Sequence, residues 1–248
     1  MNPLDAARRM ARDALGEGEI CGTCGSRVAG LCRPLDAASL DDVLAETEQL
    51  TLAPRDMLFN EGDRAGHIFT LVQGTAKLTR LLPDGREQVL GFRFAGDVLG
   101  YTGADRYPFA AQLLTTASVC RLERKRLDGL LRRYPALERR LLDLCVQELA
   151  ATQEQLVTVG RRTAEARVAA FLLSLAEAGR RRQHMGAVLE MPMTRSDIAD
   201  FLGLTLETVS RTLTAFRRRG WVREPAHGRM EILKRDQLTE LTDGSADI

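Results

Sequence analysis

The amino-acid sequence predicts an α+β fold with an N-terminal β-sandwich or roll, a long helix and a C-terminal winged helix-turn-helix. Three observations support this prediction. Glycines divide residues 51–122 into short strand-like runs at a spacing of roughly 8–12 residues, which is typical of a sandwich or roll. Apolar residues repeat at helical spacing between residues 124 and 159. Near the C-terminus, two short helical patterns flank a glycine turn and precede a predicted hairpin.

These patterns divide the chain into four parts. Residues 1–34 form an N-terminal arm that contains a cysteine cluster, and residues 35–123 form the strand-rich domain. The long helix takes residues 124–159, and the winged helix-turn-helix takes residues 160–241. Within the arm, residues 1–20 are interpreted as a short amphipathic or frayed helix.

In the strand-rich domain, the runs predicted as strands are His67–Val72, Ala76–Leu82 and Gln88–Phe94. Pro83-Asp84-Gly85 predicts a turn, because proline presets φ and glycine accepts a positive φ. Before the strands, the apolar spacing of residues 35–50 predicts a short helix.

The long helix carries an apolar stripe that predicts a coiled-coil seam, and an interruption is expected near Tyr134-Pro135. Steps of three and four residues alternate along the stripe, as in a heptad seam, although it covers only about two and a half heptads. The alternative is a helix buried against its own domain; polar residues beside the stripe favour a homodimer seam. The seam residues are Leu142, Cys145, Leu149, Thr152, Leu156 and Val159.

The C-terminal part has the local signals of a winged helix-turn-helix. Thr194 is a predicted N-cap of the first helix, Gly203 permits the tight turn, and Thr205 caps the second helix. A hairpin is predicted after Gly220, with its turn near His227-Gly228.

The second helix places three polar side chains on one face, at positions i, i+3 and i+4: Glu207, Ser210 and Arg211. Arginine can donate two hydrogen bonds to guanine, and glutamate can accept one from cytosine, so this face is predicted to contact DNA bases. The alternative is a solvent-exposed Glu–Arg pair. Other side chains are predicted to contact phosphates, which adds affinity without reading sequence. These are Thr194, Arg195, Thr205, Thr208, Arg217 and Arg218, with the neighbouring Arg219.

The charge distribution agrees with a nucleic-acid partner for the C-terminal part. Residues 158–236 hold 15 Lys and Arg against 9 Asp and Glu, whereas the rest of the chain holds 20 against 25. The alternative is a solvated basic surface. No apolar run approaches the ~18 residues of a transmembrane helix, and the N-terminus lacks the apolar core of a secretory signal. The sequence therefore predicts a cytoplasmic protein without a membrane partner.

The five cysteines are placed unevenly. Cys21, Cys24 and Cys32 cluster near the N-terminus, Cys120 lies in the strand-rich domain, and Cys145 lies in the helical seam. An odd number of cysteines without a secretory signal argues against a disulfide framework, so the cluster suggests metal ligands or redox thiols. Three clustered thiols and one distant thiol can close a four-thiolate site, which zinc or an iron–sulfur cluster would accept. Cys145 is expected to be a small buried apolar residue rather than a ligand.

The sequence does not predict an enzyme. Its three histidines are His67, His184 and His227, and none is near a nucleophile with acid and base partners. Walker and dinucleotide-binding spacings are also missing from the sequence.

Four segments together resemble the CRP/FNR superfamily of bacterial transcription regulators, and within it the oxygen-sensing FNR branch. Two are similar to its DNA-reading segment, Met193–Ile198 and Leu202–Arg211. Ala164–Leu172 resembles its hinge and following helix, and Phe69–Gly74 resembles its roll. The resemblance covers the chain from Cys21 to about Leu241.

The resemblance implies a cyclic-nucleotide-binding-like β-roll as the sensor domain and a [4Fe–4S] cluster held by Cys21, Cys24, Cys32 and Cys120. It further implies a homodimer that binds a palindrome of TTGAT-type half-sites without oxygen, acts with RNA polymerase, and is switched off when air destroys the cluster. The preference for iron–sulfur over structural zinc or a redox-thiol sensor rests mainly on this resemblance. One departure is the gap of seven residues between Cys24 and Cys32, which is longer than in the best-known member.

Cyclic-nucleotide binding is not expected, although the same roll supports it in relatives. The corresponding stretches are Gly96-Asp97-Val98-Leu99 and Tyr107–Ala111. The arginine that binds the cyclic phosphate in those relatives is missing there, and Arg106 is displaced from its position.

Overall fold

The computed structural model describes residue 27 and residues 29–161, 163–181 and 188–243. The helix predicted over residues 1–20 lies outside the described residues, as do Cys21 and Cys24. The chain divides into two compact units, one ending at Val146 and the other beginning at Gln147.

The first unit contains two four-stranded antiparallel sheets, with strand orders β1-β8-β3-β6 and β2-β7-β4-β5. The predicted strands and the Pro83-Asp84-Gly85 turn are confirmed; Gly85 has a φ of +83° and its N–H donates to the Leu82 carbonyl at 2.9 Å. The strands are β1 (Thr47–Leu52), β2 (Met57–Phe59), β3 (His67–Gln73), β4 (Thr75–Leu81), β5 (Glu87–Phe94), β6 (Val98–Leu99), β7 (Ala110–Leu113) and β8 (Ala117–Glu123).

The side-chain alternation of β8 gives this strand two different faces. Ala117 and Val119 are buried in the core between the sheets, together with Leu71 of β3. Leu122 points the other way, into a second apolar cluster outside the sheets. That cluster also holds buried side chains from the helix before β1, from the turn that precedes this helix, and from the two helices after β8. They are Leu31, Leu35, Leu40, Val43, Leu127, Leu130, Leu137 and Leu141.

Helix α1 spans Ala37–Ala45, so the helix predicted over residues 35–50 is too long. The Asp36 side chain caps its start by accepting from the Ser39 N–H at 2.8 Å. After Ala45 the chain becomes β1, which pairs antiparallel with β8 over its whole length. This long-range pairing overrides the local apolar spacing that suggested a longer helix.

Two helices follow β8, and the interruption predicted at Tyr134-Pro135 is confirmed. Helix α2 spans Arg124–Arg133 and α3 spans Pro135–Arg161. Proline lacks the N–H that a continuing helix would need, but it is well suited to the first position of a new helix.

The second unit contains the predicted winged helix-turn-helix. Its elements are α4 (Ala164–Arg181), β9 (Val188–Glu190), α5 (Arg195–Leu202), α6 (Leu206–Arg218), β10 (Val222–Ala226), β11 (Arg229–Ile232) and α7 (Arg235–Thr242). Strand β9 extends the β10–β11 wing to three strands in the order β10-β11-β9; the sequence did not predict β9 or α7. The fully buried Leu172, Ile198, Phe216 and Leu238 show that all four helices of this unit, α4 to α7, contribute to its core.

Across the part of the chain that the structure describes, no helix is both long and apolar enough to cross a membrane.

Candidate DNA interface and cysteine site

The capping residues and the turn glycine that the sequence indicated define the ends of α5 and the start of α6. The Thr194 hydroxyl accepts from the Asp197 N–H at 3.0 Å, and the Asp197 carboxylate accepts from the Thr194 N–H at 2.9 Å, which forms a capping box. Gly203 ends α5 with a φ of +62°, a left-handed conformation that favours glycine. The Thr205 hydroxyl then accepts from the Thr208 N–H at 3.2 Å and caps α6.

Helix α6 has an apolar face in the core and a polar face toward solvent. Val209, Leu213 and Phe216 are buried. Glu207 and Arg211 are exposed and Ser210 is half-buried, so the three predicted base-reading side chains lie on the accessible side of the helix. Their contact with bases stays a prediction.

Replacement of Arg211 by alanine is expected to weaken binding to the preferred DNA site by roughly 1–3 kcal/mol per half-site, because a bidentate contact to guanine is lost. The measurement is the Kd for a panel of duplexes in which each position of the half-site is changed in turn. Loss of discrimination at one base pair would identify base contact. Equal weakening on every duplex would instead make Arg211 a phosphate contact.

The predicted phosphate-contacting side chains have different surroundings. Thr194 and Thr205 are the two helix caps, and the Thr208 hydroxyl lies 3.0 Å from that of Thr205. Arg195 and Arg217 both form ion pairs with Glu224 of the wing, a residue that the sequence reasoning did not identify. Two arginines follow Arg217 at the end of α6: Arg218 is exposed, and Arg219 lies over the Trp221 ring at 4.9 Å and pairs with Glu165 at 3.3 Å.

The structure brings two of the four predicted metal ligands together. Cys32, in the turn before α1, and Cys120, on the outer face of β8, line the same small cavity. Both residues are half-buried. The other walls are mainly apolar side chains from α1, β3, β8 and α2, among them Val43, Ile68 and Leu127.

Among the residues described, no group of three or more His, Cys, Asp or Glu is arranged to hold a metal ion. The predicted set of four includes Cys21 and Cys24, which are not among those residues. Cys145 is exposed on α3 in the single chain, and its burial in a dimer seam stays a prediction.

Arg140 of α3 forms two hydrogen bonds with the segment just before Cys32. Its Nε donates to the Gly30 carbonyl at 3.0 Å, and its Nη2 donates to the Ala29 carbonyl. Burial, together with the nearby Arg33 guanidinium, lowers the pKa of Arg140. The contact joins the segment next to a predicted metal ligand to the helix that carries the predicted seam.

The seam on α3 is exposed along much of its length. The exposed fractions of Leu142, Leu149 and Leu156 are 63%, 59% and 70%, and Thr152 is exposed as well, whereas Val159 is half-buried. Val146 and Val157, beside the stripe, are also more than half exposed. The alternative, a helix buried against its own domain, does not agree with this exposure. A largely apolar exposed stripe is the kind of surface that a partner can cover, and the seam stays a prediction.

Aromatic side chains fill part of the space between the two sheets. The rings of Phe59 and Tyr107 stack with centroids 4.0 Å apart, and the Tyr107 hydroxyl donates to the His67 carbonyl at 2.7 Å. Burial raises the pKa of Tyr107. Arg106 is exposed and its Nη1 donates to the Gly62 carbonyl at 2.6 Å. The absence of cyclic-nucleotide binding stays a prediction.

A two-sheet roll, a long helix with an exposed apolar stripe and a winged helix-turn-helix with an accessible polar face define a class: DNA-binding transcription regulators. Comparison with known families agrees with this. Residues 166–241 match the Crp-like helix-turn-helix domain, and residues 49–134 match the cyclic nucleotide-binding domain. The chain belongs to the CRP/FNR family of transcription activators, and the relatives described next place it there.

Three curated relatives are similar over most of their length. The transcriptional activatory protein AadR of Rhodopseudomonas palustris is 37% identical over 82% of this chain and 85% of its own. The nitrogen fixation regulation protein FixK of Bradyrhizobium diazoefficiens is 35% identical over 87% and 91%. The transcriptional activator protein anr of Pseudomonas aeruginosa is 33% identical over 89% and 92%.

Among solved structures, FixK2 from Bradyrhizobium japonicum matches with a TM-score of 0.72 and 30% identity, over 79% of this chain and 96% of that one. Members of the family bind DNA and act as dimers, and these relatives are regulators rather than enzymes.

Proposed function

We propose that this chain is an oxygen- or redox-responsive transcription activator of the cytoplasm that binds a [4Fe–4S] cluster through Cys21, Cys24, Cys32 and Cys120. With the cluster bound, the chain forms a homodimer that recognises a palindrome of TTGAT-type half-sites. The observation that carries the proposal is that Cys32 and Cys120, far apart in sequence, line one cavity.

The surroundings of the two cysteines fit such a group. Thiolates are the usual ligands of iron–sulfur clusters, and a bound cluster would supply sensitivity to oxygen and to reduction potential. Leu31, Val43 and Ile68 are among the buried side chains beside the thiols, and they limit the access of water. Cys21 and Cys24 precede Cys32 closely enough in sequence to approach the same cavity.

Arg140 offers a physical connection between the cysteines and dimer formation. Its guanidinium holds the carbonyls of Ala29 and Gly30, and its backbone belongs to α3. The same helix carries Leu142, Leu149 and Leu156, which belong to the exposed stripe that a partner chain would cover. The Arg140 side chain thereby links the turn that carries Cys32 to the helix that carries the stripe.

Dimer formation matters because two recognition helices must reach two half-sites about one helical turn apart. The base-reading residues of each half-site are then Glu207, Ser210 and Arg211. The arginines at the ends of α5 and α6 contact phosphates and make binding salt-dependent. RNA polymerase is the proposed protein partner at the promoter.

The test is the visible absorption spectrum and metal content of protein purified without oxygen, followed by controlled exposure to air. We expect a brown protein that contains iron and sulfide, bleaches in air and loses its dimer. A colourless protein with one zinc per chain, unaffected by air, would overturn the proposed sensor. It would leave a winged-helix regulator with structural zinc, since zinc accepts the same four thiolates.

A further inference from the structure

Glu224 connects the wing to both helices of the helix-turn-helix. Its Oε2 accepts from Nη2 of Arg195 at 3.1 Å and from Nη1 of Arg217 at 3.0 Å. Arg195 is the first residue of α5, Arg217 is in the last turn of α6, and Glu224 is in β10. One carboxylate therefore holds two guanidinium groups from two different helices.

The contact with the two arginines also helps to hold Glu224 itself in place within the wing. The β10–β11 pairing shifts register between Arg223 and Ala226, so the ladder does not fix the position of Glu224. The side chain of Glu224 is only 22% exposed, whereas those of Arg195 and Arg217 are 33% and 41% exposed. Glu224 is thus the least exposed of the three side chains.

We propose that Glu224 is a positioning residue that determines how strongly this protein discriminates its DNA site from other DNA. Glu224 holds Arg195 and Arg217 in the orientation in which they contact the phosphates of the correct site. It also offsets part of their positive charge, which weakens binding to DNA in any other register. The inference rests on the DNA binding of the family and on the predicted phosphate contacts, and it does not depend on the cluster.

The donor geometry allows this role. Arginine has five N–H donors in a rigid fork, so one contact to Glu224 leaves several donors for a phosphate. Arg217 is held further by a contact from its Nη2 to the Thr214 hydroxyl at 3.1 Å. The logarithm of the binding constant falls as the logarithm of the salt concentration rises, and each phosphate that a protein neutralises makes this slope more negative by about 0.9. A fixed carboxylate beside two arginines lowers the number of phosphates they neutralise on an unspecific duplex.

The test compares Glu224→Gln with the unchanged full-length dimer over a range of salt concentrations. The two duplexes are one selected from a random pool by the unchanged protein, and one with the same bases scrambled. We expect the scrambled duplex to bind roughly tenfold more tightly to the variant, with a steeper salt slope, while the selected duplex changes little. The ratio of the affinity for the selected duplex to the affinity for the scrambled duplex falls accordingly.

The matched control is Glu231→Gln on the same wing. Glu231 accepts from Nε of Arg223 at 2.8 Å and has no ion pair with Arg195 or Arg217 among the described contacts. This variant should keep the affinity ratio. A second arm introduces Glu224→Gln into a chain that already carries Arg195→Gln and Arg217→Gln, where it should have no effect on the ratio.

Two outcomes would overturn the proposal. In the first, Glu224→Gln leaves both affinities and the salt slope unchanged. In the second, Glu224→Gln weakens binding to both duplexes by the same factor, which would make Glu224 a structural residue of the wing. Thermal unfolding of each variant separates the second outcome from simple failure to fold.

Discussion

Replacement of Cys120 by serine is expected to abolish cluster assembly and, with it, oxygen-dependent DNA binding. Serine keeps the size of the side chain in β8 but replaces the thiolate with a hydroxyl, a poor ligand for iron–sulfur clusters. Iron and sulfide content, the visible spectrum and DNA binding without oxygen are the measurements. Iron and sulfide should fall to background. The unfolding midpoints of the two proteins, compared without the cluster, should differ little because Cys120 is only half-buried.

Cys145→Ser is the matched control, because Cys145 is exposed on α3 and is not among the residues lining the cavity with Cys32 and Cys120. This variant should retain iron, sulfide and oxygen-dependent DNA binding. The assignment of the ligands would be wrong if the control lost the cluster and Cys120→Ser kept it.

Introduction of a charge into the seam, by Leu149→Glu, is expected to weaken the dimer by about a hundredfold, or roughly 2.8 kcal/mol. Leu149 is in the middle of the exposed stripe of α3, so each chain would place a carboxylate in the apolar interface. Sedimentation of anaerobic protein over a range of concentrations measures the dissociation constant.

DNA binding should fall with the dimer, because a single chain can occupy only one half-site. The matched control is Ala151→Glu, which adds the same charge at an exposed position of α3 that is not part of the stripe. Equal dimer dissociation constants for the two variants would contradict the proposed seam.

The winged helix-turn-helix could be predicted from sequence because its signals are local. The capping residues Thr194 and Thr205 and the left-handed Gly203 each act within a few positions, and the structure confirms all three. The break at Tyr134-Pro135 is local for the same reason, since it follows from the missing N–H of proline.

The features that the sequence could not supply depend on contacts between distant residues. The helix predicted over residues 35–50 ends early because β1 pairs with β8, which lies far along the chain. The contacts of Glu224 with Arg195 and of Arg140 with Gly30 also join distant positions, and no spacing rule indicates them.

The junction at the end of β8 has a mechanical consequence. The strand ends at Glu123 and α2 begins at Arg124, with no loop between them, and the Arg124 N–H donates to the Gly66 carbonyl at 2.9 Å. A displacement of Cys120 would therefore be transmitted to the first turn of α2 through three intervening residues of extended backbone. An extended segment without a loop transmits such a displacement directly, because it cannot absorb the movement by changing its own conformation.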